Sequence, residues 1–294
     1  MKYDEFICHL QTRVQQHTGK MVNVDLRRVT KNNGVEMDGL SMSEEGQKIS
    51  PMIYLKDYFA SYEKGVTIPE IVEEILKVYE ENKISNPLAP EFYTNFEKVQ
   101  DRLVCKLINY DKNMELLQKI PYIRWLDLAI VFYYVLENEE FNNGTILIYN
   151  SHLEMWKVSL EIIYEVTRKN TPHMLPYELQ SMYTIIENTL EVDDLGSDTE
   201  AVPMYILTNA NKNMGAVSII YDAILSKIGE ELGADFYILP SSVHECVIVP
   251  EHINTTKEAL QRMVAEINET QVLPEEILSD NIYYYNRKKH HLSL

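Results

Sequence analysis

The sequence predicts an α+β fold in which antiparallel hairpins are covered by amphipathic helices. Three observations carry that expectation. Apolar residues at Tyr3, Phe6, Ile7, Leu10 and Val14 keep the helical period and stop near Gly19. Val22, Val24 and Leu26 then alternate with polar residues, and after Asn32, Asn33 and Gly34 the alternation returns at Val35 and Met37, the pattern of a hairpin closed by an Asn-Gly turn. Near the other end, two apolar runs, Phe236 to Leu239 and Cys246 to Val249, lie between two helical patterns, so helix, hairpin, helix recurs.

The remaining elements follow in chain order. At Gly39 the alternation slips, so that Leu40 and Met42 take the opposite parity, which predicts a bulge or a strand end there. Met52 to Leu55 supplies a third strand. Thr67 and Glu70 have the spacing of a capping box, and Ile68, Ile71, Val72, Ile75, Leu76 and Tyr79 form one face of the helix that follows. Asn86, Pro87, Ala89 and Pro90 break the pattern and mark a boundary. Phe96 to Tyr110 fits helix and strand equally, whereas Asp111 to Ile120 reads as a helix ending before Pro121. Leu126 to Leu136 is rich in branched and aromatic residues and pairs in a hairpin with Thr145 to Tyr149, its first strand central and buried. Ser159 caps a helix reaching about Arg168, which Thr171 and Pro172 end.

Two segments share a spacing: Asn150, Met155, Val158 and Ser159 against Asn209, Met214, Val217 and Ser218, each after a strand-like triplet. The match predicts a duplicated strand, Asn turn and helix. Tyr221, Ile224, Leu225, Ile228 and Leu232 form a helix stopped by Gly233, and Thr255 with Glu258 begins another whose buried face is Leu260, Met263, Val264 and Ile267. Three α+β units result: 1–85, 95–186 and 201–294. Between the last two, 187–200 holds six acidic residues without Lys or Arg and reads as a solvated linker. The sheets form either separate layers or one continuous sheet.

Composition excludes several classes of function. A chain of 294 residues, 45% hydrophobic and 24% charged, sits at the globular average. With 45 acidic and 27 basic residues the net charge is -18, which repels polyphosphate and anionic lipid. The longest apolar run, Leu128 to Leu136, is far short of the roughly 20 residues that span a bilayer as a helix. Met1 is followed by charged residues and not by an apolar secretory core, so a cytoplasmic chain starting at Met1 is expected. Cys8, Cys105 and Cys246 lie far apart in apolar surroundings and read as reduced core residues.

Chemistry concentrates at the step Pro240, Ser241, Ser242, Val243, His244, Glu245, where hydroxyls, an imidazole and a carboxylate crowd together between two strands. A hydrolase would use Ser241 or Ser242 as nucleophile, His244 as base and Glu245 as orienting acid. On a strand, however, Glu245 points away from the face shared by Ser242 and His244, and no Gly-Xaa-Ser-Xaa-Gly elbow is present. The bland alternative is a hydrogen-bonded turn. His244, Glu245 and His252 lack zinc-site spacing, Pro250 interrupts any helix between them, and His9, His17, His152 and His173 are isolated, so no metal is assigned. With 10 glycines and no phosphate-binding loop, no nucleotide cofactor is expected. The basic tail Arg287 to His291 reads as a loose end, and Tyr283, Tyr284 and Tyr285 as a strand closing a sheet edge.

The runs Val29 to Val35, Ile49 to Leu55, Arg124 to Leu136 and Tyr237 to Glu245 resemble an uncharacterised bacterial family of unknown function, and the resemblance extends over nearly the whole chain. It implies a cytosolic protein and brings no activity, cofactor or catalytic residue with it. The expected role is therefore non-enzymatic, through contacts with a protein partner. A hydrolase built on Ser242 and His244 is the alternative, and an acidic mimic of nucleic acid the weaker one. No direct nucleic-acid or membrane binding is expected.

Overall fold

The computed structural model describes residues 1–44, 50, 52–82, 95–136, 144–185, 203–251 and 256–294. The chain is α+β, with three antiparallel sheets among the described residues and helices, and divides into two compact units: 1–94 with 136–144, and 95–135 with 145–294.

In the first unit, α1 (Tyr3–Thr18) ends where Gly19 takes a φ of 67°, open to glycine at little cost. The strands β1 (Val22–Thr30), β2 (Glu36–Glu44) and β3 (Met52–Tyr54) form a sheet in that order, followed by α2 (Lys56–Glu63) and α3 (Ile68–Glu81). Thr67 and Glu70 close the anticipated capping box on α3, the Thr67 backbone N–H donating to the Glu70 carboxylate at 2.8 Å. The core joins Phe6, Leu10 and Val14 of α1, Leu40 and Met42 of β2, and Ile71 and Ile75 of α3. Phe59 and Tyr62 of α2 extend it, their rings 5.2 Å from that of Phe6.

Gly39 is not a bulge. β1 and β2 pair residue for residue from Val22↔Glu44 to Thr30↔Glu36, so β2 runs through it unbroken. The parity changes because Leu40 and Met42 lie under the helices while Met37 belongs to the other face. Gly39 is required for a different reason: a Cβ there would stand 2.8 Å from the Met52 sulfur and 3.0 Å from the Ile53 carbonyl of β3.

In the second unit the ambiguous segment resolves into one helical turn, α4 (Phe96–Val99), a 3-10 turn and β4 (Leu103–Asn109). The helix expected over 111–120 shrinks to a 3-10 turn and α5 (Met114–Leu117). After β5 (Tyr122–Trp125), β6 (Leu128–Val135) is the central strand, paired with β4, β5 and β7 (Thr145–Leu147), and is buried as expected.

Next come α6 (Asn150–Trp156) and α7 (Leu160–Met174), which passes through Pro172 instead of stopping before it. A proline in the last turn removes one N–H, and the turn is held by Leu175 N donating to the Thr171 carbonyl at 2.8 Å and by the Thr171 hydroxyl donating to Thr167 O at 2.6 Å. The Cys105 backbone N–H in turn donates to Thr171 Oγ1 at 3.0 Å, which fastens α7 to β4.

The third sheet has the order β13-β12-β10-β11-β9-β8. Its strands are β8 (Tyr177–Ser181), β9 (Tyr205–Asn209), β10 (Phe236–Leu239), β11 (Cys246–Pro250), β12 (Tyr283–Asn286) and β13 (His291–Ser293). Because β8 pairs with β9, the segments 95–186 and 201–294 share one unit. The acidic stretch 187–200 lies outside the described residues.

Helix α8 (Ile224–Leu232) ends at Gly233 in the left-handed region. On α9 (Lys257–Thr270) the cap is one residue later than the sequence suggests: Thr256 Oγ1 accepts from Ala259 N at 3.2 Å, and Thr255 is outside the described residues. Leu260 and Val264 of α9 pack on Tyr237, Leu239 and Val249, while Phe236, Ile238 and Ile248 are buried on the opposite face. With both faces covered, β10 reads as a continuous apolar run.

Three further expectations change. Asn150 opens a helix, whereas Asn209 ends a strand and is followed by the 3-10 helix Gly215–Ile220, so the two spaced segments do not fold alike. Tyr283 to Tyr285 form an interior strand, because the tail is not loose: Arg287 N donates to Asp235 Oδ1 at 3.0 Å and β13 pairs with β12. Cys8 is exposed, since α1 turns that position away from its core face.

Burial pushes the Cys105 thiol up to about 11 and raises that of Cys246 as well. Iodoacetamide is therefore expected to modify Cys8 in the native protein and the other two only on unfolding. Peptide mass mapping before and after addition of urea checks this order.

Candidate functional site

The β10–β11 hairpin places all four residues singled out in the sequence at one end of the third sheet. Its backbone is tied to 276–279: Ser279 N donates to the Pro240 carbonyl at 2.9 Å, Leu278 N to the Ser241 carbonyl at 3.0 Å, and Val243 N to the Glu276 carbonyl at 2.9 Å. Ser241 is buried, with 7% of its surface exposed. The Ser242 hydroxyl accepts from the backbone N–H of His244 at 3.1 Å, the two-residue hydroxyl turn that serine forms readily. Glu245 is half-buried and adjoins Cys246, whose thiol is raised first by burial and then by that carboxylate.

His244 is held from three sides. The Met214 backbone N–H donates to Nδ1 at 3.2 Å, Nε2 lies 3.3 Å from Glu276 Oε1, and the His244 carbonyl accepts from the Thr208 hydroxyl at 2.8 Å. Since Nδ1 accepts a hydrogen bond, the proton of the neutral ring sits on Nε2 and points at Glu276. The structure thus brings together His244, Glu276 and the Met214 amide. The Ser242 hydroxyl accepts from main chain, whereas the two ring nitrogens of His244 face the Met214 amide and Glu276.

His244→Ala is expected to leave the Met214 amide and Glu276 without their partner. A loss of about 1–2 kcal/mol in urea unfolding, with faster hydrogen exchange at Met214, checks it.

The loop that supplies Met214 is built by Asn209. Its Oδ1 accepts from Asn211 N at 3.0 Å and Asn213 N at 3.4 Å, and its Nδ2 donates to the Asn213 carbonyl at 2.8 Å. This is the Asn turn expected at the strand end. Met214 has a φ of 56°, and Gly215 follows, beginning a buried 3-10 helix that contacts β4, β9 and β11.

A second polar center lies in the turn between β5 and β6. Asp127 Oδ2 accepts from Ser279 Oγ at 2.5 Å and Asn281 Nδ2 at 3.0 Å, and Oδ1 accepts from Tyr283 Oη at 2.6 Å. Burial, the Asp127 charge and this bond all raise the Tyr283 phenol, which stays neutral and donating. Among the described residues no group of three or more His, Cys, Asp or Glu side chains is arranged to hold a metal ion. His252 lies outside them.

At the start of α6 and along α6 and α7, large apolar side chains reach the surface. Tyr149, Met155 and Ile162 are exposed to 40%, 45% and 45% of their full surfaces. Beside Ile162, a cleft of about 440 Å³ runs between α7 and the 3-10 turn Gln100–Arg102. Ile162 and Val166 contribute apolar lining, and Asp101, Glu161, Glu165 and Lys169 contribute charge.

A family model described as a family of unknown function, DUF5688, matches residues 3–287. The chain belongs to DUF5688. This agrees with the resemblance carried by the four sequence runs. No curated protein matches the chain, and no solved structure matches it. Among the described residues, no helix of this DUF5688 chain is long and apolar enough to cross a membrane.

Of the residues that shape these sites, Glu276 and Asp127 were not singled out in the sequence, and Met214 was marked only as a member of the spaced segment that begins at Asn209. Glu276 and Asp127 follow no local motif, being 32 and 152 residues from His244 and Ser279 respectively in chain order. Gly215 carried a readable signal, since an isolated glycine next to a buried run often marks a close backbone approach.

Proposed function

We propose that this DUF5688 chain acts as a binding protein through the surface of α6 and α7, with a second protein as its partner. The supporting observation is the set of exposed large apolar side chains on that surface, Tyr149, Met155 and Ile162. Exposed aromatic and methionine side chains are the types enriched where protein surfaces meet. The Ser242 and His244 region favors the same reading, because both ring nitrogens of His244 face scaffold partners and the Ser242 hydroxyl accepts from main chain.

The test is site-specific photocrosslinking in the native cell. A crosslinker placed at Met155 or Ile162 is expected to give one discrete adduct band that a crosslinker at the exposed Glu73 of α3 does not give. No adduct, or the same adducts from all three positions, overturns the reading.

A further inference from the structure

We infer that the cleft between α7 and the Gln100–Arg102 turn receives a basic segment of a partner protein, an apolar side chain seated on Ile162 and Val166 with Lys or Arg residues beside it. This deepens the binding reading above and rests on it.

The apolar lining comes from positions four apart on one helix, so Ile162 and Val166 sit side by side on one face of α7. The volume, about 440 Å³, is in the range of small binding pockets and admits one or two large side chains. The walls are joined before any partner arrives: Asn170 Nδ2 donates to the Gln100 carbonyl at 2.7 Å and to the Leu103 carbonyl at 3.1 Å, binding α7 to the opposite turn. Walls held in place lose little freedom on binding, which favors association.

Charge selects the occupant. Among the described residues that line the cleft are three carboxylates, Asp101, Glu161 and Glu165, and one lysine, Lys169. Ser159 hydrogen-bonds Glu161 and keeps its carboxyl below the ordinary range, so it is anionic at neutral pH. Lys169 stands one turn beyond Glu165 and leaves Glu161 at the other end of the row. An acidic segment would meet three like charges, whereas a basic one finds complementary partners, and the net charge of -18 adds attraction at a distance.

The probe is a short amphipathic peptide of leucine and lysine, with its leucine and glutamate counterpart as control. Titration into the ¹⁵N-labelled full chain is expected to shift amide signals of 100–101 and 161–170, with weaker binding at higher salt. Glu161→Lys with Glu165→Lys, both exposed positions, is expected to weaken binding by about tenfold or more while the circular dichroism spectrum is kept. Equal binding of the glutamate peptide, shifts confined to other surfaces, or full affinity in the double variant overturns the inference. Retention of the Met155 crosslink in the double variant overturns the cleft assignment and leaves the binding reading standing, whereas loss of all adducts in the unaltered protein removes that reading itself.

Discussion

Gly215→Ala is expected to destabilize the second unit by about 3 kcal/mol or more, or to prevent its folding. A Cβ at this position would stand 2.2 Å from Thr208 Oγ1, 2.5 Å from the His244 carbonyl and 2.7 Å from the Asn209 backbone nitrogen. The threonine hydroxyl could rotate away, but two of the three obstacles are main chain, the Asn209 amide at the end of β9 and the His244 carbonyl in the turn before β11. Separating them breaks the bond from Thr208 to the His244 carbonyl and displaces the Met214 amide from the imidazole. Chemical denaturation checks the loss. Gly39→Ala supplies the comparison: its main-chain obstacle, the Ile53 carbonyl, stands at 3.0 Å against 2.5 Å and 2.7 Å at Gly215, and the Met52 side chain beside it can move, so the smaller effect belongs there. Equal effects at the two positions would contradict this distinction.

Asp127→Ala is expected to cost about 3 kcal/mol. The carboxylate accepts from Ser279, Asn281 and Tyr283, and Ser279 and Tyr283 are both buried. Its removal leaves two buried hydroxyls without their acceptor, which costs more than the lost bonds alone. Tyr283→Phe removes the donor together with its need for a partner and is expected to cost about 1 kcal/mol. In a double-mutant cycle the two substitutions are expected to be non-additive, with Tyr283→Phe nearly neutral once Asp127 is gone. Urea midpoints of the four proteins measure this, and additive effects would show that the phenol and the carboxylate are not coupled.

Local signals in the sequence located most elements because each is a short-range regularity. The period of Phe6, Leu10 and Val14, the Asn32 to Gly34 turn and the Thr67 and Glu70 box need only a few neighbors to be read. The misreadings share one cause, a tertiary partner. Gly39 looked like a bulge or a strand end because the helices that cover Leu40 and Met42 were not yet beside them, and Pro172 looked like a helix end because the Thr171 bonds were unknown. The tail from Arg287 looked loose because Asp235, which holds it, is 52 residues away.

The candidate site shows the same division. The crowding of Ser241, Ser242, His244 and Glu245 was legible, but their roles were not, since the side chain that meets the His244 ring is Glu276 and the donor on its other nitrogen is a main-chain amide without residue identity. A sequence records which groups exist, and hydrogen-bond allocation depends on where folding brings their competitors.

By itself, the sequence determined that this protein is an acidic α+β chain with helix-covered hairpins, and that residues 240–245 form a polar turn between strands. Only the tertiary structure decided that β8 and β9 join the later segments into one unit, that the His244 ring meets Met214 and Glu276, and that α7 and the Gln100–Arg102 turn border an open cleft. The reason is range: periodicity and turn chemistry act over a few residues, whereas pairing, burial and the partners of polar groups are set by contacts between residues far apart in the chain.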